Sequence, residues 1–170
     1  MKEHELHNYK LVLQYEGIRY NGWQKQKNQE NTIQEAVENA VFDGTGERAE
    51  VIGSGRTDAG THAMGQVANV KLGQDLEPER LMDNINKHLP SDIKILECEK
   101  VDNRFHARLN AKAKTYMYTL CVGKKPDVFN RRTVLHYCAD LDVDAMKKAA
   151  EYLKGEHDFM SFCSNKRTKK

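Results

Sequence analysis

Residues 9–15 alternate, with Tyr9, Leu11, Leu13 and Tyr15 on one side, which is the period-two pattern of a half-buried strand. The period then changes. Thr32-x-x-Glu35 forms a capping box, and Ile33, Ala36, Val37, Ala40 and Val41 recur at helical spacing, so a helix is expected from Thr32 to near Gly44. Residues 49–54 read as a second strand and 66–72 as a third, its antiparallel partner. Pro78 suits the first turn of a second helix, on which Leu81, Met82, Ile85 and Leu89 share a face and which Pro90 stops. Residues 93–101 read as a fourth strand. Strand, helix, strand, strand, helix, strand is the order of a split βαβ, ferredoxin-like domain, an α+β fold. Periodicity supplies that order and leaves the topology open.

A second series follows. Residues 115–122 alternate with Tyr116, Tyr118, Leu120 and Val122 on one side, and 133–138 are expected to pair with them across a loop, 123–131, that contains Pro126. Asp142 is placed to cap a third helix, with Val143, Met146, Ala150 and Leu153 inward and Gly155 after its end. The chain therefore divides into a ferredoxin-like subdomain, 1–110, and the start of a second α+β subdomain, 111–170, which is incomplete. Its strands are too few to close a sheet, so an open sheet edge and an under-covered apolar helix face are expected there.

The candidate chemistry lies between the second and third strands, in Gly53-Ser54-Gly55-Arg56-Thr57-Asp58-Ala59-Gly60-Thr61-His62-Ala63. Gly53, Gly55 and Gly60 open backbone conformations closed to other residues and let a bulky ligand approach the main chain. Small Thr57 and Ala59 leave Asp58 uncrowded. If the run is extended, Arg56 and Asp58 share a face and can pair, which keeps the acid ionised and positioned as a nucleophile.

GRTDAG, with His62-Ala63 and Gly65-Gln66-Val67 after it, resembles the catalytic motif of the tRNA pseudouridine synthase A family. Patterns similar to the family's occur in order on both sides. Upstream are Tyr15, Gly17, Tyr20, Gly22-Trp23-Gln24, Gln26 and Thr32-Ile33-Gln34. Downstream are Asn86, Leu89-Pro90, Asp92-Ile93, Phe105-His106-Ala107-Arg108, Tyr116, Tyr118 and Gly155-Glu156-His157-Asp158-Phe159 with Ser161-Phe162. The resemblance spans the chain from Tyr9 to Phe162. It implies isomerisation of uridine to pseudouridine in the anticodon arm of tRNA, with no cofactor, by a homodimer whose tRNA reaches across both subunits. Asp58 takes the position of the catalytic aspartate, and either attack on the sugar or base or removal of a ribose proton could open the reaction. Arg56 matches a family arginine able to hold Asp58 ionised and to fill the stack vacated by an extruded uridine. Tyr116 matches the tyrosine whose ring lies against the flipped base. His62, Phe105, His106, Arg108 and Lys114 are the further candidates for substrate contact, while Tyr118 reads as packing and Trp23 and Phe159 suit core or stacking equally.

Two departures from the family pattern stand out. Thr61 stands where valine is usual, and the family's later Val-Arg pair, whose arginine binds the catalytic aspartate, has no match, so the chain is expected to be a piece of a longer protein. Two other readings follow from the same residues: a non-catalytic RNA-binding module, and an aspartic protease, which needs a second carboxylate sharing one proton and finds no second Asp-x-Gly here.

Composition adds limits. With 170 residues, 39% of them hydrophobic, the chain can bury a core. Its apolar runs fall far below the roughly 18 residues that span a bilayer, and the start lacks the apolar core of a signal peptide, so a cytoplasmic protein with no membrane partner is expected. Cys98, Cys121, Cys138 and Cys163 are single and far apart, which suits four reduced thiols, with no metal site. His4 and His7 form no metal motif. Net charge is only +2, so the distribution carries the signal for an RNA partner. Lys25 and Lys27, Arg104 and Arg108, Lys112 and Lys114, Lys124 and Lys125, and the tail from Lys166 to Lys170 interleave with Trp23, Phe105, Tyr116 and Tyr118, the mixture of cations and flat rings that RNA-binding surfaces use.

Overall fold

The computed structural model describes residues 5–26, 30–123, 125 and 127–162. His4, Lys27, Lys124, Pro126, Cys163 and the basic tail lie outside the described residues. Contacts divide the chain into two units, Met1–Met117 and Tyr118–Lys170.

In the first unit, strands β1 (His7–Tyr15), β2 (Val51–Gly53), β3 (Ala63–Leu72) and β4 (Ile93–Val101) form one sheet in the order β2-β3-β1-β4, every neighbouring pair antiparallel. With helices α1 (Ile33–Thr45) and α2 (Pro78–His88) in the connections, this is the ferredoxin-like arrangement that the element order suggested. The alternation along β1 does what it implies: Tyr9, Leu11 and Leu13 are fully buried, in one cluster with Val37 and Val41 of α1, Leu81 and Ile85 of α2, and Ile93 and Ile95 of β4. Thr32 Oγ1 accepts from the Glu35 amide and caps α1. The helix runs slightly past the expected end. Its left-handed C-cap is Gly46, whereas Gly44 is where the α2 backbone comes close, since a Cβ there would stand 3.1 Å from the Asn84 carbonyl.

Polar side chains also hold this unit together. Asn8 and Asn69 are 1% and 2% exposed. Asn69 Nδ2 donates to Asn8 Oδ1 (3.1 Å), Asn8 Nδ2 donates to the Asp102 and Phe105 carbonyls, and Asn69 Oδ1 accepts from the Ala107 amide. The pair thereby pins the loop carrying Phe105, His106 and Arg108 to the sheet. At the other end of β1, Arg19 Nε and Nη2 donate to Asp92 Oδ2, and the Tyr20 hydroxyl donates to Asp92 Oδ1 (2.7 Å). Burial pushes the Asp92 carboxyl upward, but the hydrogen bonds from Tyr20 and Arg19 and the charge of Arg19 outweigh it, leaving its pKa below the usual value. Burial and the same carboxylate push the Tyr20 hydroxyl up to about 12. Because the Asp92 pKa is lower folded than unfolded, its contribution to stability is present above the ordinary aspartate value of about 3.9 and is lost as pH falls through the lower folded value. Acid unfolding followed by circular dichroism should show this loss below about pH 4, and Asp92→Asn should flatten that limb. Burial, reinforced by Glu99, pushes the Cys98 thiol up to about 12, so this cysteine is inert.

The second unit is sparser than its pattern suggested. Strands β5 (Leu120–Val122) and β6 (Leu135–Tyr137) pair in parallel, Leu120 opposite Leu135. Residues 115–119 are not strand, and Tyr118 is 86% exposed and does not pack. Helix α3 (Val143–Glu151) starts where expected, the Asp142 carboxylate accepting from the Ala145 amide (2.8 Å), but none of its residues is buried. Val143, Met146 and Leu153 stay about half exposed, because the few elements of this unit do not bury that face.

Candidate active site

Four glycines and one short segment build the turn at Asp58. Strand β2 ends at Gly53, where a Cβ would come 2.5 Å from the Trp23 ring, so the indole packs flat against the strand end. Trp23 is 2% exposed, which makes it core. Beyond Gly53 the chain leaves the extended conformation and is caught by residues 17–23. The Trp23 amide donates to the Thr57 carbonyl (3.0 Å), the Gly60 amide donates to the Tyr20 carbonyl (3.2 Å), and Tyr15 Oη and Thr57 Oγ1 lie 3.0 Å apart in a hydrogen bond. Burial raises the Tyr15 pKa, against a smaller opposing effect of the Thr57 hydrogen bond, so this contact is made by a neutral hydroxyl.

Gly22 has φ +81°, and a Cβ on it would stand 2.4 Å from the Thr57 carbonyl oxygen. At Gly17 the approach is closer still, 1.9 Å from the Thr61 carbonyl oxygen. The Thr61 amide donates to the Asp58 carbonyl (3.1 Å), closing a β-turn whose third residue, Gly60, sits at φ +78°. Asp58 opens that turn. Its side chain is exposed and accepts no hydrogen bond from a described residue.

The expected ion pair between Arg56 and Asp58 does not form. It required an extended run, and the strand ends at Gly53, three residues before Arg56. Arg56 Nε instead donates to Gln24 Oε1 at 3.3 Å. His62 is brought to the turn: its Nδ1 accepts from the Gly17 amide (3.3 Å), so this ring braces the backbone there. Lys114 is brought there too, its ammonium lying where a Cβ on Gly55 would be (2.6 Å).

The remaining candidates lie elsewhere. Phe105 and His106 are half-buried in the loop pinned by Asn8 and Asn69, and His106 Nδ1 accepts from the Leu109 amide (3.4 Å). Arg108 is exposed on the same loop, and Tyr116 is 69% exposed. Among the described residues no hydrogen bond, ion pair or ring contact joins Phe105, His106, Arg108 or Tyr116 to residues 56–60. Phe159 packs edge-on with His157 and Phe162 in the second unit. The described residues contain no group of three or more His, Cys, Asp or Glu able to hold a metal. No helix among them is long and apolar enough to cross a membrane.

Sequence reading missed the supporting residues. Asn8, Asn69, Gln34 and Asp92 each look like a solvated polar position in a strand, helix or turn. The only signal for them is that Gln34 and Asp92 sit within the ordered set of motifs quoted above.

A family model described as tRNA pseudouridine synthase matches residues 11–110, more than half of the chain. A tRNA pseudouridine synthase A of Bacillus sp. (strain KSM-64) is 46% identical over 165 residues, which cover 97% of this chain and 68% of the relative. A tRNA pseudouridine synthase A 2 of Bacillus cereus (strain ATCC 10987 / NRS 248) is 44% identical, covering 97% and 67%. A tRNA pseudouridine synthase A of Acetivibrio thermocellus is 42% identical, covering 94% and 65%.

Proposed function

This chain belongs to the tRNA pseudouridine synthase family, and from that premise we propose that it isomerises uridine to pseudouridine in the anticodon arm of tRNA, with Asp58 opening the reaction. The supporting observation is the exposed Asp58 carboxylate at the first position of a turn that Gly17, Tyr20, Gly22 and Trp23 hold by backbone contacts. A reactive carboxylate needs both a fixed position and an open face, and this turn offers the two together. The reaction breaks the bond from N1 of the base to C1′ of the ribose, turns the base, and joins C5 to C1′. The C5 proton is lost and N1 gains one, so no electrons are exchanged with a redox cofactor. Asp58 either adds to the sugar or base, or removes a ribose proton, and leaves regenerated in both cases.

Arg56 and Tyr116 are assigned to the extruded uridine, the guanidinium entering the vacated stack and the ring lying against the flipped base. His62, Phe105, His106, Arg108 and Lys114 are assigned to the surrounding RNA. The exposure of Tyr116 and Arg108 and the nearness of Lys114 to Gly55 suit residues that meet their partner only in the complex. The site works in a cytoplasmic homodimer in this reading.

The experiment compares tRNA affinity and pseudouridine formation in variants of the full-length protein. Tyr116→Ala should lower turnover far more than affinity. Arg108→Ala and Lys112→Ala should mainly weaken binding and flatten its dependence on salt, because each lost phosphate contact releases one counterion fewer. Salt-independent tRNA binding contradicts the assignment of these cations to RNA.

A further inference from the structure

Arg56 reaches the interior of the protein through a chain of side-chain amides whose polarity is fixed. At its far end Glu38 of α1 is a carboxylate, which only accepts. Its Oε1 takes the Val51 amide (3.2 Å) and Gln34 Nε2 (3.0 Å), and its Oε2 takes Lys25 Nζ (3.1 Å). Gln34 is buried, so its amide has few ways to turn. With its NH2 committed to Glu38, its Oε1 faces the Lys25 amide (3.0 Å) and Gln24 Nε2 (2.8 Å). The Lys25 and Val51 amides can only donate, so reversing Gln34 would set donor against donor and oxygen against carboxylate. Gln24 is thereby fixed in turn: its NH2 faces Gln34, and its Oε1 is left for Arg56 Nε.

We propose that Gln24 is a positioning residue, oriented by Gln34 and Glu38, that holds the Arg56 guanidinium off Asp58 so that cation and carboxylate both reach the substrate uncommitted. The run leaves the extended conformation at Gly53 and so does not set the two side chains on one face, and the Gln24 acceptor keeps the long arginine from swinging across to the carboxylate, where each would occupy the face of the other that the substrate must meet. The bond to Nε also restricts the exposed arginine to fewer rotamers before the RNA arrives, which lowers the entropy to be lost during the reaction. The inference rests on the assignment of Arg56 to the extruded uridine made above.

Gln24→Met keeps the length and bulk of the side chain and removes the acceptor. In the full-length protein it should lower kcat for pseudouridine formation roughly tenfold, about 1.4 kcal/mol, with KM for tRNA within about twofold. In an Arg56→Ala background the same substitution should cost nothing further, because its effect passes through the guanidinium. A second readout is independent of turnover: the Nε–H resonance of Arg56 in 15N spectra should be protected from solvent exchange in the wild type and lose that protection in Gln24→Met. Unchanged kcat in Gln24→Met beside a strongly impaired Arg56→Ala overturns the positioning role of Gln24. So does an undiminished cost of Gln24→Met in the Arg56→Ala background. Full activity of Arg56→Ala alone overturns the assignment of Arg56 itself, a distinct failure.

Discussion

Asp58→Asn should remove measurable pseudouridine formation, a loss of at least about a thousandfold in kcat, while tRNA affinity stays within about tenfold, roughly 1.4 kcal/mol. Asparagine keeps the shape of the side chain and removes the charge. Asp58 lends the fold nothing through that charge, since the turn is held by backbone bonds and the carboxylate has no hydrogen-bond partner among the described residues. Stability should therefore be nearly unchanged. Affinity should persist because it rests on many phosphate contacts spread over the cationic surface. Thermal unfolding, a binding titration and a turnover assay on one preparation check all three parts. Turnover near wild type removes Asp58 from the chemistry.

The second large effect belongs to a glycine packed against the main chain of the turn. Gly17→Ala should destabilise the protein by about 3 kcal/mol or more and abolish turnover with it. The added Cβ would lie 1.9 Å from the Thr61 carbonyl oxygen, which is main chain and cannot swing aside as a side-chain tip would. Relief requires moving residues 17–20 or the turn itself, and either movement breaks the bond from the Gly60 amide to the Tyr20 carbonyl. Gly22→Ala should behave similarly, with a left-handed φ of +81° adding to the 2.4 Å approach at Thr57. Gly65→Ala is the control. Its Cβ meets nothing within 4 Å, so its unfolding midpoint should stay within a degree or two of wild type or rise slightly. Equal midpoints for Gly17→Ala and Gly65→Ala would show that the turn is not clamped in this way.

These residues also mark how far sequence alone reaches. The first unit was legible because its strands and helices bury one face each: Tyr9, Leu11 and Leu13 at period two, and Ile33, Val37 and Val41 at helical spacing, leave little choice of element. Strand β3 was expected at 66–72 and begins at Ala63, since its first residues pair with β1 through hydrogen bonds that no apolar pattern records. Further along, the alternation of Tyr116, Tyr118 and Leu120 promised a longer strand than Leu120–Val122. Alternation becomes a strand only when a partner pairs with the backbone, and the pairing reaches back no further than the Thr119 carbonyl, which accepts from the Leu135 amide (2.9 Å).

The chemistry of the turn was legible as residues and not as geometry. GRTDAG marked Asp58, but pairing it with Arg56 assumed a strand that ends too early. Gln24, an amide among many, takes the guanidinium instead. Asn8 and Asn69 were invisible for a related reason. Each occupies a position in β1 or β3 where solvated and buried amides read alike, and only the docking of residues 102–107 over them makes them interior.

That this chain isomerises uridine in tRNA can be tested most directly by following tritium from C5 of the base. Forming the new bond from C5 to C1′ expels that hydrogen, whereas binding, strand cleavage or base removal leaves it in place. Full-length protein is incubated with tRNA carrying tritium at C5 of its uridines, with a chelator present and no cofactor added. The expected result is tritium in water equal in moles to the pseudouridine found on nucleoside analysis, located in the anticodon arm. Tight tRNA binding with no tritium released would contradict it.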